Sequence, residues 1–383
     1  MNSSVELLKT LVGFDTTSRE SNLLLIEFVR DYLASFDVPC ALIYNDERSK
    51  ANLFATVGPV DQPGIVLSGH TDVVPVDGQP WTLPPFDLTE RDGKLFGRGT
   101  ADMKGYIACV LALVPALVKA SLSMPVHIAL SYDEEVGCLG VRSLLKVLEQ
   151  RPVKPLLCII GEPTELKPVL GHKGKLAMRC DVHGHPCHSA YAPLGVNAIE
   201  YAAELIGELG RLGQQLKAPE HHDARFDPPY STVQTGIISG GKALNIVPAD
   251  CRFDFEIRAL PPQDPCLVAA ALKTYAEQHL LPRMRAVNEH SDIRFSELSA
   301  YPGLATDEQS HAAELIATLC GSKEFGTVAF GTEGGLFDAA GIPTVVCGPG
   351  SMDQGHKPDE FVSLAQLQDC DAMLQRMLKS IRY

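Results

Sequence analysis

The chain has 383 residues, of which 45% are hydrophobic and 21% are charged. This composition is typical of a folded globular protein and excludes a disordered one, and the length suits two domains or one domain with a large insertion. The formal net charge of −14 excludes a nucleic-acid or anionic-membrane partner, because either partner would require a basic face.

The cysteines and the N-terminus indicate a reducing compartment. The chain has eleven cysteines, an odd number, and no two of them form a Cys-x-x-Cys pair. The N-terminal segment lacks the basic and apolar regions of a signal peptide, so we expect reduced thiols and a cytoplasmic protein. The longest apolar run, residues 106–118, is too short to span a bilayer and contains Pro115, which predicts a buried helix.

The first part of the chain alternates predicted helices and strands. Residues 3–36 have an amphipathic helical pattern, and strand candidates follow at residues 42–44 and 52–57. After a proline-rich loop around Trp81, whose role the sequence does not indicate, the alternation continues to a helix at residues 140–150. This order predicts an α/β fold with a mostly parallel sheet and helices on both faces.

Acidic and histidine residues follow the predicted strands at the same end. Four apolar, β-branched runs predict buried strands at residues 65–68, 126–132, 156–160 and 343–347. The residues that follow them are His70 and Asp72, Glu134 and Glu135, Glu162, and His356. A further acid, Asp102, lies in a glycine-rich turn. Because the carboxyl ends of parallel strands meet at one edge, these side chains are expected to lie close together. Two histidines and this number of carboxylates match the needs of two divalent ions that share one carboxylate.

The pattern changes after Gly174. Strand, helix, strand, strand, helix and strand are predicted, in that order, at residues 175–182, 197–216, 232–239, 250–258, 265–280 and 292–298. This βαββαβ order predicts an inserted α+β, ferredoxin-like domain with an antiparallel sheet and both helices on one face. We place the insertion at residues 174–299 and the catalytic domain at 1–173 and 300–383. The latter resumes with a helix at residues 307–320 and an apolar run at 327–330.

Five segments resemble, in chain order, the signatures of the co-catalytic zinc amidohydrolases of the M20 peptidase family: GHTDVVP, GRGTADMKG, YDEEVG, IIGEPT and GHKP. The resemblance extends from about residue 11 to the C-terminus. It implies a catalytic domain that binds two divalent ions, Zn²⁺ or Co²⁺. It also implies that the insertion is a lid, often used for dimerisation, so we expect a homodimer.

The same resemblance implies a ligand set. His70 and Glu162 would bind one ion. Glu135 and His356 would bind the other, and Asp102 would bridge the two ions.

Three further residues take catalytic roles by resemblance. Glu134 would be the acid/base, and Asp72 would orient His70, as metal-bound histidines usually require. His188 lies in HSAYAPLGVNA, which resembles the family segment whose histidine reaches a neighbouring subunit's active site. There it would hydrogen-bond the oxyanion.

Substrate binding is assigned to residues outside the ligand set. Asn245 and Arg258 match lid positions that bind substrate in relatives. Arg258 could pair with an α-carboxylate or could form an ordinary surface ion pair. Glu333, in a Thr-Glu-Gly-Gly segment, could meet a side-chain ammonium group.

The expected activity is hydrolysis of the amide of an N-acyl amino acid. The segments GEPTELKPVLGHKG and TEGG resemble those of the family members that act on N²-acetylornithine. This resemblance implies that substrate, which would yield ornithine and acetate for arginine synthesis. Alternatives with the same chemistry are succinyl-diaminopimelate, dipeptides and other acylated amino acids. A remote alternative is a non-catalytic amino-acid-binding protein on the same fold, which loss of Glu134 or of a ligand would favour, yet every expected position is filled.

Overall fold

The computed structural model describes residues 3–261 and 263–383, which divide into two compact units. The first unit contains the chain up to Gly171 with Leu304–Thr327 and Thr332–Tyr383, and the second contains His172–Gly303 and Val328–Gly331. The strands are β1 (Cys40–Tyr44), β2 (Ala51–Val57), β3 (Ile65–His70), β4 (Thr89–Arg91), β5 (Lys94–Phe96), β6 (Val126–Ser131), β7 (Leu157–Pro163), β8 (Val169–His172), β9 (Gly174–His183), β10 (Thr232–Gly240), β11 (Asp250–Ala259), β12 (Asp292–Tyr301), β13 (Leu304–Ala305), β14 (Gly326–Val328), β15 (Thr344–Gly348) and β16 (Phe361–Ser363). The α-helices are α1 (Ser4–Val12), α2 (Leu23–Ala34), α3 (Gly105–Lys119), α4 (Val141–Glu149), α5 (Ala198–Gln215), α6 (Pro265–Tyr275), α7 (Leu281–Val287), α8 (His311–Cys320), α9 (Gly334–Ala339) and α10 (Leu364–Ser380).

The main sheet of the first unit has the strand order β1-β2-β6-β3-β7-β15-β8-β13, with β14 beside β8. Its central strands β6, β3, β7 and β15 run parallel, whereas β1, β2 and β8 pair antiparallel at the flanks. Every residue of these four central strands is buried, as expected for parallel strands covered on both faces. Their carboxyl ends therefore deliver the residues that follow them to one edge of the sheet.

A small second sheet, not predicted from the sequence, has the order β16-β5-β4. Phe361 at the start of β16 pairs with Phe96 at the end of β5. This register brings Glu360 to the glycine-rich turn that follows β5, where the Glu360 carbonyl accepts a hydrogen bond from the Gly97 N–H.

Helix α3 lies in the core of the first unit. Together with the preceding turn, the segment Thr100–Lys119 is long and apolar enough to cross a membrane. However, 83% of its most apolar stretch of 18 residues is buried inside the protein. The prediction of a buried helix at this position is confirmed, and Pro115 lies inside it.

The second unit has an antiparallel sheet in the order β10-β11-β9-β12. Alternate residues of β9 and β11 are buried, and they pack with α5 and α6 in one hydrophobic cluster. The chain order is β9, α5, β10, β11, α6, β12, so the predicted fold class, including the βαββαβ insertion, is confirmed.

Some element boundaries differ from the prediction. The helix predicted at residues 265–280 continues through Ala276–Leu280 into α7. The helix predicted to begin at residue 307 begins at His311, because the Ser310 side chain caps it by accepting a hydrogen bond from the Ala313 N–H.

Candidate metal centre

The first ligand group forms around His70 at the end of β3. Its Nδ1–H donates to the carbonyl oxygen of Asp72 at 2.9 Å, which leaves Nε2 directed at carboxylates. Nε2 lies 2.9 Å from Oδ1 of Asp102 and 3.8 Å from Oε1 of Glu162. All three candidate ligands, His70, Asp102 and Glu162, are buried.

The second group uses the other oxygen of the same aspartate. Oδ2 of Asp102 lies 3.1 Å from Nε2 of His356, and the two carboxylate oxygens of Glu135 lie 3.0 Å and 3.2 Å from that nitrogen. The side chain of Asp102 thus faces one histidine with each oxygen. This is the arrangement expected of a carboxylate shared by two ions.

The donor set fits two divalent cations. Within each group the ligand atoms all lie within 4.8 Å of one another, and imidazole and carboxylate are both good zinc ligands. Burial and the nearby Asp102 carboxylate raise the pKa of Glu135 to about 8 and raise that of Glu162 well above its usual value. Buried carboxylates that repel one another in this way are stabilised by bound cations.

Asp72 connects the two ligand groups through the backbone. Its carboxylate accepts hydrogen bonds from the N–H groups of Glu134 at 3.1 Å and Glu135 at 3.3 Å, while its carbonyl orients His70. The hydroxyl of Ser18 donates to the same carboxylate at 2.8 Å. The sequence prediction for Asp72 named its effect on His70 but missed its contact with the glutamate pair and the role of Ser18.

A buried ion pair holds the turn that carries Asp102. Oε1 of Glu360 accepts hydrogen bonds from the N–H groups of Ala101 at 2.9 Å and Asp102 at 3.1 Å. Its Oε2 lies 2.7 Å from Nη1 of Arg98, and both side chains are 1% exposed. Sequence reasoning missed this pair, although Arg98 lies in the glycine-rich turn and Glu360 lies four residues after His356.

The same arginine links this turn to His356. Nη2 of Arg98 donates to Oε1 of Gln79 at 2.6 Å, and Nε2 of Gln79 donates to the carbonyl of His356 at 3.0 Å. Trp81 donates to Gln79 through its indole N–H, and its ring lies 5.0 Å from the Arg98 guanidinium carbon. The loop around Trp81 therefore supports the backbone that carries one candidate ligand.

Glu134 lies beside Glu135 but outside both ligand groups. Burial raises its pKa to about 7, and the Cys138 thiol donates a hydrogen bond to its Oε1 at 3.3 Å. A carboxyl group with a pKa near neutrality can both accept and release a proton at physiological pH. Its half-buried position next to the two groups suits an acid/base.

Glu333 immediately precedes α9, and its side chain is 1% exposed. Its Oε1 has no hydrogen-bond partner among the described residues, and burial raises its pKa to about 7. A buried carboxylate oxygen without a partner is costly unless a cation or a donor meets it.

The remaining predicted site residues lie in the second unit. His188 is exposed, and its Nδ1 accepts a hydrogen bond from the Ala190 N–H at 3.1 Å. Asn245 is also exposed. Arg258 lies 3.3 Å from Glu256 and donates to the Tyr301 hydroxyl at 2.9 Å, so the ion pair considered as its alternative role is present. The catalytic and substrate-binding roles of these residues stay predictions.

Comparisons with known proteins identify relatives along nearly the whole chain. The model of peptidase family M20/M25/M40 matches residues 66–380. An acetylornithine deacetylase from Pasteurella multocida is 35% identical over 379 residues, which cover 99% of this chain and 96% of that protein. One from Proteus mirabilis is 34% identical over 374 residues, covering 96% and 92%. An M20 family metallo-carboxypeptidase from Sulfolobus solfataricus superposes with a TM-score of 0.76 at 19% identity, covering 99% of both chains, which shows a common fold.

Proposed function

Because the chain belongs to peptidase family M20/M25/M40, as its motifs predicted, we propose that it is a metal-dependent amidohydrolase that cleaves N²-acetylornithine into ornithine and acetate. The observation that carries the chemistry is the Asp102 carboxylate between two histidines, each with its own further acid. The choice of substrate is supported by the acetylornithine deacetylases that are 34–35% identical over nearly the whole chain. This activity would supply ornithine for arginine biosynthesis.

Two divalent ions, Zn²⁺ or Co²⁺, are the proposed cofactors. His70 and Glu162 would hold one, Glu135 and His356 the other, and Asp102 both. When bound, such ions lower the pKa of a shared water and polarise the carbonyl under attack.

Glu134 is the proposed acid/base. It would take a proton from the attacking water and deliver it to the departing amine nitrogen. Burial raises its pKa to about 7, whereas the bound cations would favour the charged form that accepts the proton of the water. Asp72 would support this step by accepting hydrogen bonds from the N–H groups of Glu134 and Glu135, which fixes the backbone of both residues.

Glu333 is the proposed recognition group for the side-chain ammonium of ornithine. The unpartnered oxygen of its buried carboxylate supports this role, because a cationic group would satisfy it. Arg258 and Asn245 are proposed to bind the remaining polar groups of the substrate, with Arg258 on the α-carboxylate.

We further propose a cytoplasmic homodimer in which the second unit acts as a lid and in dimerisation. His188 would then donate a hydrogen bond to the oxyanion in the partner subunit's site. Its exposure and its position outside the first unit are compatible with this role.

The test is a substrate panel with metal-loaded protein. We expect the highest kcat/KM for N²-acetylornithine, compared with succinyl-diaminopimelate, N-acetylleucine and an unacylated dipeptide. Glu134→Gln protein, prepared identically, controls for contaminating hydrolases. A higher kcat/KM for another member of the panel would show that N²-acetylornithine is not the preferred substrate, while amide hydrolysis would still stand. No turnover of any member with ions bound would favour the non-catalytic alternative.

A further inference from the structure

The first unit contains a cluster of three sulfur atoms from three different elements. Cys320 ends α8, Cys347 lies in β15 and Met373 lies in α10. The two Sγ atoms lie 3.4 Å apart, and they lie 3.6 Å and 3.8 Å from Sδ of Met373. All eleven cysteines of the chain are free thiols, so both sulfurs of the pair are available as ligands.

The three distances describe a nearly equilateral triangle. A point equidistant from its corners lies about 2.1 Å from each sulfur, close to the ~2.3 Å of a zinc–thiolate bond. Thiolate and thioether ligands favour soft cations such as Cu(I), and the triangle offers planar three-coordination. Structural zinc sites take four ligands, so three sulfur atoms do not suit structural zinc. Neither cysteine belongs to the two metal-ligand groups found among the described residues, so the cluster is separate from that centre.

We propose that Cys320, Cys347 and Met373 form a second metal site, which takes one soft monovalent cation of the Cu(I) class. Cys347 and Met373 are buried, whereas Cys320 is half-buried and gives access from the surface. Binding would release the two thiol protons to solvent, because thiolates are the metal ligands.

A nearby cation offsets the charge of the occupied site. Two thiolates and one monovalent cation carry one net negative charge. Arg376 follows Met373 by three residues on α10, so the two side chains share a helix face. Its Nε donates to the carbonyl of Leu319 at 2.6 Å, which places the guanidinium group beside Cys320. The site thus has donors, access and a counter-charge.

The test is an anaerobic titration of zinc-loaded protein with Cu(I), in competition with a soluble Cu(I) chelator. We expect one tight equivalent, seen as a sulfur-to-metal charge-transfer band, with the zinc retained. Cys320→Ser should weaken this equivalent by at least about 100-fold and the volume-conserving Met373→Leu by about tenfold. Cys266→Ser, which removes an exposed thiol in α6, is the matched control and should change nothing.

Three results of the titration would overturn the proposal. These are a tight equivalent that survives in Cys320→Ser, one that is lost in Cys266→Ser, or displacement of zinc in place of added binding. X-ray absorption provides an independent check, because three sulfur neighbours are expected in the wild type and two in Met373→Leu. Two neighbours in the wild type would reject the three-sulfur site. Unchanged melting temperatures in the variants would confirm that the losses are not due to unfolding.

Discussion

Replacing Glu360 by glutamine should damage the protein through the buried Arg98 charge. The glutamine oxygen can still accept hydrogen bonds from the N–H groups of Ala101 and Asp102, so the turn keeps these contacts. The Arg98 guanidinium, 1% exposed, loses its anion, and its other described partners, the Gln79 oxygen and the Lys357 carbonyl, are uncharged. Removing one partner of a buried ion pair typically costs about 3–5 kcal/mol.

The assay is urea denaturation of metal-free wild type and variant, followed by metal titration of both. We expect the free energy of unfolding to fall by about 3–5 kcal/mol. Metal affinity should change much less, because the glutamine oxygen still holds the Asp102 backbone. Glu204→Gln is the matched control. Its carboxylate pairs with Arg283 at 2.7 Å, but the two side chains are 37% and 55% exposed, so the loss should be about 0–1 kcal/mol. Equal losses in the two variants would refute the argument from burial.

The remaining predictions concern single side chains. Glu134→Gln should retain both ions by metal analysis and lose about 10²–10⁴-fold in turnover, whereas Glu135→Gln should lower metal affinity; the reverse pattern would exchange their roles. Glu333→Gln should lower kcat/KM for N²-acetylornithine more than for N-acetylleucine, because only N²-acetylornithine has a side-chain ammonium group that would lose its ion pair. Equal losses would show that Glu333 does not recognise the substrate side chain. Purified mixed dimers of His188→Ala and Glu134→Ala chains should recover about one site's activity although both parent homodimers are nearly inactive, and mixed dimers as inactive as the parents would place His188 elsewhere. Burial lowers the pKa of His127 to about 4. Between about pH 4 and pH 6.5, this histidine is therefore protonated in the unfolded chain and neutral in the folded protein. The contribution of His127 to the free energy of unfolding should therefore fall by on the order of 2–3 kcal/mol as the pH decreases from about 6.5 to about 4. His127→Gln should remove that part of the pH dependence in urea denaturation, and an unchanged slope would contradict the assignment.

Four of the five candidate ligands could be predicted from the sequence because each follows a recognisable strand, whereas Asp102 lies in a glycine-rich turn and was identified by the resemblance of its motif. His70 and Glu162 end or adjoin buried apolar runs, and the parallel order of β3 and β7 brings such ends together. Local patterns also indicated the βαββαβ unit, since its strands alternate buried and exposed residues.

The residues that support the ligands could not be predicted in the same way. Arg98 and Glu360 are 262 positions apart, and the small sheet that joins them has strands of three residues each, too short for a periodic signal. Ser18 reaches Asp72 across 54 positions through a single hydroxyl. Such contacts depend on the finished fold, because no local propensity of serine or arginine specifies them.

The most direct test of the central claim is ornithine release by protein stripped of metal and then titrated with Zn²⁺ or Co²⁺. The proposed centre predicts that metal-free protein is inactive towards N²-acetylornithine and that activity returns as up to two ions bind per chain. Asp102→Asn protein should fail to recover under the same titration, since it lacks the carboxylate that both ion sites share. Full activity in protein verified to be free of metal would contradict the account.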